Sequence, residues 1–189
     1  MLIQMSGAPG SGKSTLARLL RPSLNATIID HDVLRSSLLE SDIIPFDQAA
    51  KQAYQLQWAL AQDLMKQNIS SVIIDSTCNY AETLNQGTSL AAKNGYVYYY
   101  IECRADSIDL LDERMRARQP MTSQRSAVNC PPAAAVEQGN STQVEEDARA
   151  LFTRWIENPC RPDDTSCVIV VDSSTPVETL REQVLTRLT

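Results

Sequence analysis

The sequence predicts an α/β protein of three layers, with a parallel sheet of about five strands between two layers of helices. Two observations predict it. Short apolar runs such as those at residues 2–6, 71–75 and 167–171 are continuous and do not alternate with polar residues. Segments with helical periodicity separate these runs. Continuous apolar strands joined by helices are typical of parallel sheets, because the crossover helices cover both faces.

The length and composition indicate one folded domain that covers residues 1–189. Hydrophobic residues make up 43% and charged residues 21%, which excludes a disordered chain. The net charge is −6, whereas a non-specific nucleic-acid binder is usually basic. This charge makes a nucleic-acid partner less favoured, although the total charge does not exclude a local basic groove.

Cysteine usage and the lack of long apolar runs indicate a cytoplasmic protein. The five cysteines are scattered and form no C-x-x-C pair, which favours reduced thiols over disulfides or a zinc site. No apolar run approaches the roughly 20 residues of a membrane span. The N-terminus lacks a basic segment and enters a strand directly, so we expect neither a secretory signal nor a membrane partner.

The elements are expected to alternate along the chain. Further strands are predicted at 27–29 and 96–102, and helices at 13–20, 33–39, 47–67, 81–93, 108–118, 142–156 and 176–188. Pro120, Pro131, Pro132 and Gly139 lie among many small polar residues, so 119–141 is expected to be a loop or a partly ordered flap.

Two apolar patterns can be read structurally or functionally. Helix 47–67 carries a stripe of Ala53, Leu56, Leu60 and Leu64 that we expect to face the core, and the helix is expected to form one wall of an acceptor pocket. Strand 96–102 holds four tyrosines, which could stack on bases. Aromatic residues also favour strands, so we expect this strand to lie inside the sheet.

The most specific motif is Gly7-Ala8-Pro9-Gly10-Ser11-Gly12-Lys13-Ser14, followed by Thr15. It matches G-x-x-x-x-G-K-[ST] in full, between a predicted strand and a predicted helix. The glycines let backbone N–H groups point at phosphate oxygens, and the helix N-terminus adds partial positive charge. Lys13 is expected to reach the β- and γ-phosphates of a bound nucleotide.

A magnesium site is predicted from two oxygen donors. The Ser14 hydroxyl is expected to bind Mg²⁺, and Asp75 ends an apolar strand beside the phosphate loop, where a second Mg²⁺ contact is usual. A helix cap or a loop aspartate is the alternative for Asp75. Thr77 and Asn79 follow at the same edge and are candidates for contacts with a substrate.

The acceptor side is predicted from Asp32 and Arg35, which follow the second strand and share one helix face at i and i+3. A carboxylate there can take the proton of an attacking hydroxyl, and the arginine can hold an anionic or hydroxylated substrate. The alternative is a helix-capping Asp32 with a surface pair to Arg35. His31 could be solvated between two acids or contact a substrate.

With these motifs in this order, residues 1–118 resemble the small P-loop kinases of the adenylate-kinase-like class, and most closely the AAA-type kinase domains. That group includes polynucleotide 5′-kinase domains, chloramphenicol phosphotransferase and zeta-toxin-like kinases. The resemblance implies that Asp32 is the general base and that Arg35 contacts the acceptor. It also implies that Arg114 and Arg118, at i and i+4, bind the triphosphate from a lid, and that the loop before Pro176 meets adenine.

The lid region, at about 112–141, departs from the family because residues 123–135 hold a single arginine. The acceptor therefore cannot be copied from a family member. The function favoured is transfer of the ATP γ-phosphate, with Mg²⁺, to a hydroxyl of a small polar molecule. A 5′-hydroxyl nucleic-acid kinase and a nucleotide-binding NTPase module without an acceptor stay as alternatives. ATP is preferred over GTP because no Asn-Lys-x-Asp run is present.

Overall fold

The computed structural model describes residues 1–41, 44–139 and 147–188. Its strands are β1 (Leu2–Ser6), β2 (Ala26–Asp30), β3 (Ser71–Asp75), β4 (Tyr98–Arg104) and β5 (Val168–Asp172). They form one parallel sheet in the order β2-β3-β1-β4-β5. The predicted α/β fold with about five parallel strands is confirmed.

The helices follow the predicted order, with ends that differ by a few residues. They are α1 (Lys13–Leu24), α2 (His31–Leu39), α3 (Phe46–Lys66), α4 (Ala81–Asn94), α5 (Ile108–Ala117), α6 (Ala133–Glu137), α7 (Ala148–Glu157) and α8 (Val177–Arg187). Gly95 ends α4 in the left-handed conformation, with φ 71°, as the Asn-Gly pair predicts. The start of the predicted helix 142–156 lies outside the described residues.

The core has two halves because neighbouring residues of each buried strand point to opposite faces of the sheet. On one face, Ile3 and Ile73 pack with residues of α1 and α8. On the other face, Leu2 and Val72 pack with residues of α3 and α4. Helices thus cover both faces, which gives the predicted three layers.

The predicted core stripe of α3 is wrong in part. Leu56 and Leu60 are 43% and 44% exposed, whereas the fully buried positions include Ala53, Gln57 and Ala61. The sequence pattern assigns the leucines to the core, but the buried face of α3 combines three alanines with the larger Phe46, Gln57 and Met65. Trp58 of the same helix is partly buried against the half of the core that contains Leu2 and Val72.

The tyrosine-rich strand lies inside the sheet, since β4 pairs with β1 and with β5. Tyr100 is completely buried, and its hydroxyl lies 2.7 Å from the Ser6 hydroxyl and 2.6 Å from the carbonyl oxygen of Cys160. Tyr98 donates to Gln4 Oε1 at 2.7 Å. Because these two tyrosines bond within the protein, they do not form a base-stacking surface.

Residues 119–139, which we call the flap, pack against the domain. Ser123, Arg125 and Val128 are buried, and the backbone N–H of Val128 donates to Asp112 Oδ1 at 2.7 Å. The flap contains α6, a short helix that packs with α2 and α3 and that the sequence did not predict. No helix among the described residues is long and apolar enough to cross a membrane.

Candidate functional site

The phosphate-loop motif forms the turn between β1 and α1. Gly7, Gly10 and Gly12 all have positive φ, at 126°, 84° and 88°. A Cβ atom at Gly7 would lie 2.3 Å from the carbonyl oxygen of Cys103, so this position requires glycine. The loop therefore comes into close backbone contact with the end of β4.

Lys13 is buried at the start of α1, and its ammonium points back into the loop. Its Nζ donates to the carbonyl oxygens of Gly7 at 2.9 Å and Ala8 at 3.0 Å. Burial lowers the pKa of Lys13, and the nearby carboxylate of Asp75 is the largest opposing influence. The loop thus holds a cation through neutral carbonyl groups.

The loop has the donors that a phosphate group needs. Among the described residues, buried Ser11 Oγ has no hydrogen-bond partner and no side chain caps α1 at Gly12. The first turn of α1 therefore presents its N–H groups and its partial positive charge with no competing side chain. Together with Lys13, these groups fit an anion with several oxygen atoms.

Asp30 and Asp75 end the adjacent strands β2 and β3 and are register partners. Asp75 is 4% exposed, and the nearby Ser14 side chain acts to lower its pKa. Burial, followed by the nearby Asp30 carboxylate, raises the pKa of Asp75 to about 6. The structure thus brings together the two residues predicted to hold Mg²⁺.

The oxygen atoms of Ser14 and Asp75 suit an Mg²⁺ ion that is bound together with phosphate groups. Within the described ranges, no three or more His, Cys, Asp or Glu residues form a metal cluster. Mg²⁺ often takes only one or two protein carboxylates, with water and substrate phosphates as its other ligands. Ser14 and Asp75 suit that mode.

Asp32 lies in the first turn of α2, and its carboxylate faces the flap. Asp30 is the N-cap of this helix, accepting from the backbone N–H groups of Asp32 at 2.9 Å and Val33 at 3.4 Å. The interpretation of Asp32 as the helix cap is therefore wrong. Asp32 Oδ2 instead accepts a hydrogen bond from Gln124 Nε2 at 2.7 Å.

Arg35 is half-buried and rests on an aromatic ring. Its guanidinium carbon lies 4.1 Å from the Phe46 ring centroid, and Nη2 donates to the Phe46 carbonyl oxygen at 3.4 Å. Burial lowers the pKa of Arg35, with Asp32 the largest opposing influence. Arg35 forms no ion pair with a carboxylate of the described residues, so the surface-pair interpretation is wrong.

His31 is buried rather than solvated between two acids. Its ring packs on Tyr54, with centroids 4.1 Å apart and an interplanar angle of 34°. Burial lowers the pKa of His31 to about 4, so the imidazole is neutral at pH 7. Burial also raises the pKa of Tyr54 to about 12. This pair adds a neutral aromatic surface to the site.

The two predicted lid arginines lie at the end of α5 but do not share a helix face. Arg114 donates to Ser173 Oγ at 3.3 Å and to its carbonyl oxygen at 2.7 Å. Arg118 lies beyond the last turn, with an extended backbone, and donates to the Arg125 carbonyl oxygen at 3.2 Å. Neither Arg114 nor Arg118 forms an ion pair with a carboxylate of the described residues, whereas Arg116 pairs with Asp112 at 2.6 Å.

A single cleft of about 860 Å³ brings the predicted residues together. Its lining includes residues 9–15, Asp32, Arg35, Asp75, Thr77, Asn79, Arg114, Arg118 and Pro176. Gly7 and Ala8 are not part of the lining and contribute their carbonyl groups to Lys13 instead. Helix α3 adds Phe46, Asp47, Ala50 and Tyr54, so it forms one wall of this cleft.

The cleft also contains residues that sequence reasoning missed. Ser123 and Gln124 reach it from the flap, and Trp155 reaches it from α7. Gln124 and Asp32 are 92 residues apart, and no local pattern signals such a pairing. Trp155 lies in a predicted helix, and its large aromatic side chain is the one feature of the sequence that could have indicated a place in the cleft.

A glycine-rich phosphate loop between β1 and α1 of a five-stranded parallel sheet defines a P-loop protein of three-layer α/β/α fold. The comparison with protein families gives the particular family. The chain belongs to the AAA_33 family, whose AAA domain model matches residues 2–159. A comparison with curated proteins found no match.

Solved structures show the same fold. A candidate kinase of Chloroflexus aurantiacus J-10-fl is 17% identical, with a TM-score of 0.67 over 100% of this chain and 98% of that one. A sugar kinase of Janibacter sp. HTCC2649 is 17% identical, with a TM-score of 0.61 over 99% and 93%. An APS kinase of Mycobacterium tuberculosis, in complex with AMPPNP and APS, is 18% identical, with a TM-score of 0.57 over 99% and 96%. The resemblance to small P-loop kinases of the AAA-type group is confirmed.

Proposed function

We propose that this chain is an ATP- and Mg²⁺-dependent phosphotransferase that acts on a hydroxyl group of a small polar molecule. The observation that carries the proposal is the shared cleft, in which Asp32 and the phosphate loop line one space. A carboxylate near bound phosphate groups has no part in holding them, because like charges repel. It can instead accept the proton of an attacking hydroxyl.

The proposed nucleotide site uses groups that all lie around the phosphate loop in the cleft. The loop from Gly7 to Thr15 would surround the phosphates, and Lys13 would leave its two carbonyl partners for phosphate oxygens. Ser14 and Asp75 would hold Mg²⁺, while residues around Pro176 would lie against the base. Bound MgATP supplies the transferable phosphoryl group, with the cation offsetting charge on its oxygens.

Arg114 and Arg118 are proposed to offset the charge that develops during transfer. Both line the cleft, and burial lowers the pKa of Arg118. We propose residues 112–141 as the lid of this single domain, of which 140–141 lie outside the described residues. Docking of the lid would exclude water and favour transfer to the acceptor over hydrolysis.

The acceptor side is proposed to bind a compact polar molecule. Asp32 would take the hydroxyl proton, and Arg35 would hold a second polar group of the acceptor. The neutral pair of His31 and Tyr54 and the overall acidic charge give little attraction to a polyanionic strand. The structural neighbours described as a sugar kinase and an APS kinase support a small acceptor.

The test is transfer of label from γ-labelled ATP with Mg²⁺ to a fractionated small-molecule extract and, separately, to a 5′-hydroxyl oligonucleotide. We expect label on a small molecule, and its mass would identify the acceptor. Label on the oligonucleotide would instead indicate an end kinase, and label released only as phosphate would indicate an NTPase. Asp32→Asn is the control, and wild-type transfer by this variant would refute the role of Asp32.

A further inference from the structure

The flap makes a direct contact with Asp32 that the roles above do not explain. Gln124 Nε2 donates to Asp32 Oδ2 at 2.7 Å. Gln124 is held on its own side as well, since its Oε1 accepts from the backbone N–H of Met121 at 3.2 Å. With the carbonyl end of the amide engaged by a donor, only the NH₂ end can face the carboxylate.

The turn that carries Gln124 is fastened to α2 beside the same carboxylate. The backbone N–H of Ser123 donates to Ser36 Oγ at 3.1 Å, and the two serine hydroxyls lie 3.0 Å apart. Ser123 and Ser36 are both buried. Ser123 Oγ also lies 3.3 Å from the Asp32 carbonyl oxygen. Gln124 therefore approaches Asp32 from a turn that is itself fixed.

The contact leaves the two oxygens of Asp32 in different situations. Oδ2 has the short bond from Gln124, whereas the nearest described donor to Oδ1 is Ser123 Oγ at 3.5 Å. Asp32 still lines the cleft. A carboxylate fixed through one oxygen keeps its other oxygen in a constant direction, available to a proton from the acceptor.

We propose that Gln124 is a positioning residue for Asp32, so that docking of the flap and alignment of the base are one event. This inference rests on the proposed function and assigns the flap a part in it. Gln124 acts through Asp32 and is not itself a proton acceptor, because an amide is neutral and its NH₂ group only donates. Alignment matters because a displacement of about 1 Å can lower a rate about 100-fold.

The charged and titratable surroundings of Asp32 are mixed in sign and come from several elements. They are Lys13, Asp30, His31, Arg35, Asp75 and Arg118. None of them donates a hydrogen bond to Oδ2 among the described contacts, so the amide of Gln124 is the specific orienting partner.

The kinetic test compares Gln124→Leu and Gln124→Glu with Thr122→Ala. Thr122 lies on the same turn, and its hydroxyl bonds to the exposed Glu40 at 3.0 Å, so its variant controls for flap docking. Using the acceptor fraction that the transfer assay identifies, we expect Gln124→Leu to lower kcat about 10- to 100-fold with the KM for ATP unchanged. Thr122→Ala should keep kcat within about twofold, since exposed bonds contribute little.

The Gln124→Glu variant adds a signature that loss of packing would not produce. Two carboxylates in hydrogen-bond contact retain a shared proton, and the introduced carboxyl group donates to Asp32 only while the pair holds it. We therefore expect the rate of transfer by this variant to fall as the pH rises through the range in which the pair loses its shared proton. The wild type, with its permanent donor, should not show that fall.

Nuclear magnetic resonance tests the contact without any turnover. The side-chain NH₂ signals of Gln124, assigned by their loss in Gln124→Leu, should move in Asp32→Asn. Those of Gln4, which donates to Cys78 Sγ and the Thr83 carbonyl oxygen, should stay in place. Unmoved Gln124 signals overturn the proposal whether or not an acceptor has been found.

The kinetic outcomes separate this inference from the proposed function. If Asp32→Asn abolishes transfer while Gln124→Leu equals the wild type, Gln124 has no positioning role and the kinase proposal stands. Faster transfer by Gln124→Leu also overturns positioning, because the contact would then block the base. Normal transfer by Asp32→Asn refutes the role of Asp32 as the base and with it the positioning role of Gln124, whereas the transfer itself still supports a phosphotransferase.

Discussion

The phosphate loop and the acceptor side share one cleft but are built in opposite ways. In the loop, Lys13 bonds to the carbonyl groups of residues five and six positions away. At the acceptor side, Asp32 bonds to Gln124, which is 92 residues away. The loop is a local backbone structure, so a short motif specifies it. The acceptor side depends on long-range side-chain contacts, which change with any change in the flap.

The largest expected effect separates the two sides by function. Asp32→Asn should lower transfer about 100- to 10,000-fold, the range for loss of a general base, with ATP affinity unchanged. Rate measurements with labelled ATP and calorimetric titration with ATP and Mg²⁺ check the two parts. An equal loss of nucleotide binding would show that Asp32 belongs to the loop side.

Lys13→Ala should act on the other side and lower transfer about 100- to 1,000-fold, the scale for loss of one preorganised charged donor. Unlike Asp32→Asn, it should also weaken ATP binding, because Lys13 is the buried cation of the loop. The same titration measures this. Arg18→Ala provides a control, since Arg18 is an exposed cation of the same helix. A similar loss of transfer and of ATP binding in Arg18→Ala would attribute the effect to the total positive charge of the helix and not to Lys13.

A matched pair of glycine substitutions tests the backbone of the loop. Gly7→Ala should destabilise the fold by about 3 kcal/mol or more, because the new Cβ would meet the Cys103 carbonyl oxygen at 2.3 Å. Gly12→Ala should cost about 1 kcal/mol, since Gly12 has positive φ but open space. Urea unfolding measures both. Equal losses of stability in the two variants would mean that the positive φ of Gly7, and not its close contact with Cys103, is the reason that this position requires glycine.

A further effect concerns pH and Asp75 at the edge of the sheet. A rise in the pKa of Asp75 from 3.8 to about 6 means that the folded chain binds this proton more tightly than the unfolded chain. Stability should therefore fall as the pH rises from about 4 to 6, by about 3 kcal/mol at most. Thermal melting in the absence of nucleotide measures the fall. Asp75→Asn should flatten this part of the profile, and an unchanged profile would assign the fall to another group.

Much of the site can be predicted from the sequence where the signal is local. The loop is recognisable because its function needs particular glycines and a lysine in one unbroken run. Asp75 is predictable because the carboxyl ends of parallel strands meet at one edge of the sheet. The fold class follows from apolar runs that do not alternate, which is also a local property.

The errors arise where tertiary contacts decide. Leu56 and Leu60 fit a helical core pattern, but the face of α3 that packs on the sheet is the one with Ala61 and Met65. Asp32 and Asp30 are equally good caps by residue type, and the position of the strand end selects Asp30. No periodicity in 119–139 indicates which turn reaches α2, so Gln124 could not be singled out.

The small residues of α3 have a consequence for the cleft that this helix lines. Small residues allow a helix to approach a sheet closely, and the distance between them follows from side-chain size at the contact. Ala50 and Tyr54 of the same helix line the cleft. A larger residue at Ala61, which packs with β1 and β3, would act as a spacer and move this wall outward. The width of the cleft would then change through a residue that does not line it.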